Sequence, residues 1–67
     1  MSNEEIKVYD FMKDEDFIIS LQIADILNVD FETDKGIKKV FEIIYSLINK
    51  GLIRKRNCIG IAYEIIR

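Results

Sequence analysis

Six cations fall in two short clusters, Lys35, Lys38 and Lys39, then Arg54, Lys55 and Arg56, in a chain whose formal charge is −2. Arginine grips phosphate or carboxylate with a planar fork, and lysine attracts them as a point charge. The chemistry on offer is recognition of an anion. Residues that make and break bonds are scarce, since there is no His and Cys58 is the single Cys. That composition removes the imidazole proton relay, the Cys/His zinc set and the internal disulfide. No glycine-rich phosphate loop is present, and isolated carboxylates in so short a chain seldom enclose a pocket. We therefore expect no enzyme, no cofactor and no metal. The run Asp30-Phe31-Glu32-Thr33-Asp34 has the alternation of a calcium loop, but Gly36 falls one place late and Phe41 stands where a bidentate Glu is needed. Those acids are better read as favouring the N-terminus of the helix that follows.

The charge is divided along the chain. Residues 1–34 carry ten acids against two bases, a local charge of −8, and residues 35–67 carry eight bases against two acids, or +6. Such asymmetry points to a polyanion-binding surface, because local potential governs contact more than net charge does. The competing readings are two solvated faces, or halves that attract each other. Cys58 is open to oxidation if exposed, although a small residue in a turn is the simpler reading.

These side chains need elements to hold them, and 67 residues with 49% hydrophobic content and no Pro suffice for one domain near the lower size limit. Ser2-Asn3-Glu4-Glu5 has capping-box form and opens a helix over about residues 3–13, which the acids Asp14, Glu15 and Asp16 should stop. Phe17-Ile18-Ile19 suits a minimal strand. Ser20 is placed to cap a second helix to about residue 28, and Asp34 a third. From Gly36 to Lys50, Ile37, Val40, Phe41, Ile43, Ile44, Tyr45, Leu47 and Ile48 cover an apolar arc of about 200°. A narrow polar stripe remains, and Gly51 provides the left-handed stop. Leu52–Arg56 and Ile59–Ile66 are strand-prone, joined by the type I turn signal Asn57-Cys58-Ile59-Gly60. On the second strand Ile61, Tyr63 and Ile65 share one face, and Ala62, Glu64 and Ile66 the other. The acidic N-terminus and the lack of a long apolar run predict a soluble, cytoplasmic protein with no membrane span.

This order, with "SLQIADILNV" as second helix and "VFEIIYSLINKGLIRKR" as third helix entering a strand, resembles the winged helix-turn-helix superfamily over essentially the whole chain. The resemblance implies an α+β fold of three helices, a short strand after the first, and a C-terminal β-hairpin wing. It also implies binding of double-stranded DNA and transcriptional regulation. The link Asn28–Asp34 is longer than the usual tight turn between second and third helices. A weaker likeness, of "IIYSLINKG" to the Zα domains that bind Z-form nucleic acid, carries over only Tyr45. The family's recognition Asn falls on Phe41, and its wing prolines and Trp are absent.

In this frame Lys38, Glu42, Ser46 and Asn49 are expected to reach base edges, with Lys35 and Lys39 nearer phosphates. Arg54, Lys55 and Arg56 would meet the backbone from the wing. Any amphipathic helix needs a solvated face, and that is the competing reading for the stripe. Glu42 pairs more naturally with Lys38 or Lys39 than with a cytosine amine. Tyr45 is expected to pack in the core and not to stack on a base. A homodimer is expected, because one such module buries little DNA. Its interface would be the outer side of the first helix (Ile6, Tyr9, or Val8 and Met12) or the strand Ala62–Ile66. The rival reading is a module whose acidic N-terminal half engages a basic protein.

Overall fold

The capping box forms as the sequence requires: Ser2 Oγ accepts the Glu5 amide at 3.2 Å and Glu5 Oε1 accepts the Ser2 amide at 2.9 Å, opening helix α1 (Asn3–Met12). In the computed structural model, which describes residues 1–56 and 61–67, α1 leads to strand β1 (Ile18–Ile19), helices α2 (Ser20–Leu27) and α3 (Asp34–Asn49), and strands β2 (Ile53–Lys55) and β3 (Ala62–Ile65). The result is an α+β domain with three helices and one three-stranded antiparallel sheet. The expected turn Asn57-Cys58-Ile59-Gly60, and with it Cys58, lies outside the described residues.

Two helix starts differ from expectation. Strand β1 runs straight into α2, because the Ser20 amide is still bonded to the Ile61 carbonyl at 3.2 Å. Ser20 is thus the first helical residue, and Ile19 holds the cap position. The free Ile19 amide donates to Gln22 Oε1 at 2.9 Å. Likewise Thr33, not Asp34, caps α3, its Oγ1 accepting the Gly36 amide at 3.0 Å and donating to the Asp30 carbonyl at 2.8 Å. Asp30 Oδ1 also accepts the Glu32 amide at 2.9 Å, so the long α2–α3 link is wound into an Asx turn. Gly36 is buried against that turn. A Cβ there would lie 1.7 Å from the Asp30 carbonyl oxygen.

Both later helices end in a left-handed residue. Asn28 (φ 57°) closes α2, with the Val29 amide bonded to the Ala24 carbonyl at 3.0 Å. Gly51 (φ 74°) closes α3, with bonds from Gly51 to Ile48 at 2.9 Å and from Leu52 to Leu47 at 3.1 Å. Space around Gly51 is open, so Gly51→Ala meets only the backbone cost of a side chain at positive φ. We expect a loss of about 1 kcal/mol, read as a lower urea midpoint with unchanged m-value.

The sheet order is β1-β3-β2, so the last strand in the sequence lies in the middle. Ile18 faces Tyr63 across one ladder, and Ile53, Arg54 and Lys55 face Ile65, Glu64 and Tyr63 across the other. The core gathers Val8 and Met12 of α1, Ile23 of α2, Val40, Ile44 and Leu47 of α3, and Ile18, Ile53 and Tyr63 of the sheet. Val8 and Met12 are buried in the protein's own core, and β3 has a neighbour on both edges. Among the described residues no helix is long and apolar enough to cross a membrane.

Candidate nucleic-acid interface

Helix α3 positions most of the candidate residues. Its core side is set by Val40, Ile43, Ile44 and Leu47, all buried. Turned at about 100° per residue, Tyr45, Lys38, Asn49, Glu42 and Lys35 then follow one another across roughly 80° of the opposite, exposed face. No side-chain hydrogen bond or ion pair engages Lys35, Lys38, Glu42 or Asn49 among the described residues. A cleft of about 520 Å³ runs beside the first turns of α3, with Val29, Thr33, Lys35, Gly36, Lys38 and Lys39 in its lining.

Tyr45 departs from expectation. It is 57% exposed and sits at the edge of the charged stripe instead of in the core. Its ring leans on Phe41 (centroids 5.9 Å apart), which leans on Phe31 (6.3 Å). The reason is angular, since Tyr45 lies almost opposite Leu47 on the helix. Tyr63 fills the core place nearby, and burial together with the neighbouring Tyr45 phenol pushes its own phenol up.

On the flank of α3 that meets α1, two candidates are already engaged. Lys39 Nζ pairs with Glu4 at 2.6 Å, and that carboxylate, with Glu42 behind it, holds the ammonium above its usual range. Ser46 Oγ donates to Glu5 Oε2 at 2.7 Å, and Lys50 Nζ reaches the same oxygen at 2.6 Å. Glu5 is only 6% exposed. Lys50, the Ser2 amide and Ser46 hold its carboxyl far below the usual carboxylate range. The sequence marks Glu5 as a capping residue, yet it shares the buried side of α1 with Val8 and Met12 at helical spacing, which signals an inward carboxylate. Ser46 and Lys50, one turn apart on α3, are the matching signal.

The cations on and just after β2 divide by strand parity. Successive residues of β2 point to opposite faces. Ile53 and Lys55 belong to the face that carries Tyr63 and looks toward the helices, whereas Arg54 belongs to the outer face with Glu64. There Arg54 Nη2 meets Glu64 Oε2 at 2.8 Å, and its Nε donates to the same oxygen at 2.9 Å. Arg56 approaches Glu64 Oε1 at 3.4 Å and lies 4.7 Å from the centre of the Phe17 ring. The structure thus brings Lys35, Lys38, Glu42, Asn49 and Tyr45 onto one face of α3, and places Lys55 on the helix-facing side of the sheet. Arg54 and Arg56 form a separate, internally countered pair.

No protein-family model matches the chain, and comparison with curated proteins and with solved structures finds no match either.

Proposed function

We propose that the chain binds double-stranded DNA as a small winged helix-turn-helix regulator, with α3 in the major groove and β2–β3 as the wing. The observation that supports this reading is the exposed face of α3, where Lys35, Lys38 and Asn49 stand unengaged among the described residues while acids near the other cations are paired within the fold. Lys38, Asn49 and Glu42 read base edges, and Lys35 meets phosphate. Lys39 reaches phosphate by exchanging Glu4 for it, and Ser46 serves mainly to hold Glu5. Lys55 extends the face from the wing, while Arg54 and Arg56 contribute less because Glu64 cancels part of their charge. Dimerisation, if half-sites are paired, uses the exposed Ile6 with the half-buried Tyr9 beside it on α1. Sedimentation at micromolar concentration checks it.

Binding to random duplex DNA, followed by fluorescence anisotropy across a salt series, tests the proposal. About three phosphate contacts predict a log–log slope near −3. Lys35→Ala, Lys39→Ala and Lys55→Ala should each reduce that slope by about one, and Arg54→Ala/Arg56→Ala by less. Binding too weak to detect at low salt, or binding with no slope, overturns the reading and leaves the protein-binding module. A second reading, Z-form nucleic acid, is favoured by the exposed ring of Tyr45. It requires inversion of the circular dichroism of an alternating dC–dG duplex on binding, and loss of that inversion in Tyr45→Ala.

A further inference from the structure

The acids of this chain fall into two groups. Glu4, Glu5, Asp10 and Glu64 each meet a cation. The other eight make no ion pair among the described residues: Asp30, Glu32, Asp34 and Glu42 belong to the α2–α3 link and α3, while Asp14, Glu15 and Asp16 follow the end of α1 and Asp25 is exposed on α2. The same region exposes large apolar side chains, with Phe11 at 42% and Leu21 at 53%. Between the two helices lies a groove of about 300 Å³ lined by Phe11, Gln22, Asp25 and Ile26. Contiguous exposed apolar surface rimmed by polar groups is a mark of an interaction site.

We infer that this α1–α2 groove docks a cationic amphipathic helix of a partner protein. Apolar residues of that helix enter between Phe11 and Ile26, and its lysines or arginines meet Asp25 and the Asp14–Asp16 run. An extended peptide adding to the sheet is a poorer occupant, because the outward amide of Ile19 on β1 is already taken by Gln22. A second copy of this chain does not fit the role either. Its own cationic helix, α3, has its apolar side in the core. The inference is independent of DNA binding, which uses the exposed face of α3.

The test is a titration of ¹⁵N-labelled protein with an amphipathic Leu/Lys peptide of about 18 residues, long enough to form a helix on binding. A Leu/Glu peptide of the same pattern and a Leu/Lys peptide of scrambled order serve as controls. We expect amide shifts centred on Phe11, Gln22, Asp25 and Ile26 with the amphipathic cationic peptide alone. Asp25→Lys, at an exposed position, should weaken binding roughly tenfold, and Glu32→Lys, the same charge change in the α2–α3 link, should leave it unchanged. Equal binding of the scrambled peptide, shifts centred on α3, an unaffected Asp25→Lys variant, or the same shifts on concentrating the protein alone would each overturn the inference.

Discussion

Gly36→Ala unfolds the protein or reduces it to a loosely packed state at 37 °C, although alanine is the better helix former by about 1 kcal/mol. The Cβ would sit 1.7 Å from the Asp30 carbonyl oxygen and 2.6 Å from its carbon. That carbonyl cannot swing away cheaply, because it accepts both the Thr33 amide at 3.2 Å and the Thr33 hydroxyl at 2.8 Å. Relieving the clash means unwinding the Asx turn, losing the α3 cap and lifting Val29 and Phe31 from the core, a cost of about 3 kcal/mol or more. A domain of this size holds only roughly 3–10 kcal/mol in total. Thermal melting and the amide dispersion of a proton–nitrogen spectrum measure the outcome, and a variant as stable as the parent would refute the packing described for the α2–α3 link. Gly51→Ala is the internal contrast, since one glycine answers to a carbonyl and the other to its own backbone angle.

Glu5→Gln is expected to lower the thermal midpoint at pH 7 by about 5–10 °C. The substitution keeps the shape of the side chain and removes the charge that Ser46 and Lys50 address at 2.7 and 2.6 Å. Its signature is pH dependence. Glu5 titrates in the folded protein far below the 4.5 of a free carboxyl, so its stabilising contribution is complete above that value and is lost as pH falls below it. The gap between parent and variant should stay constant from pH 7 to about pH 5 and then close progressively on acidification. Parent and variant melting together at pH 7, or a gap that persists unchanged to pH 3, would show that the carboxylate does not carry the α1–α3 junction.

The element order was legible because each element announces itself locally. The capping box of Ser2 and Glu5 opens α1, the apolar arc of Val40, Ile44 and Leu47 makes α3, and Gly51 ends it. Partners across the fold were not legible. Glu5 meets Ser46 and Lys50 across more than forty positions of sequence, and no local pattern links them. Arg54, Lys55 and Arg56 read as one basic run, although strand alternation already separates Lys55 from its neighbours and Glu64 lies opposite Arg54. Tyr45 could have been placed by angle, being one step beyond the arc that Ile44 and Leu47 define. Gly36 gave no sign of its role, because the Asp30 carbonyl that occupies its missing side chain belongs to a turn visible only in three dimensions.

The central position of β3 has a consequence for how the chain folds. Strands β1 and β2 flank it and do not touch each other, so both wait for residues 62–65 before they have anything to pair with. Helices α1, α2 and α3 can pack on one another without the sheet, but Ile18 and Ile53 have no strand partner until β3 pairs with them. Closure of the sheet is therefore a single step that depends on residues 62–65, and a chain cut before residue 62 would carry two unpaired strands.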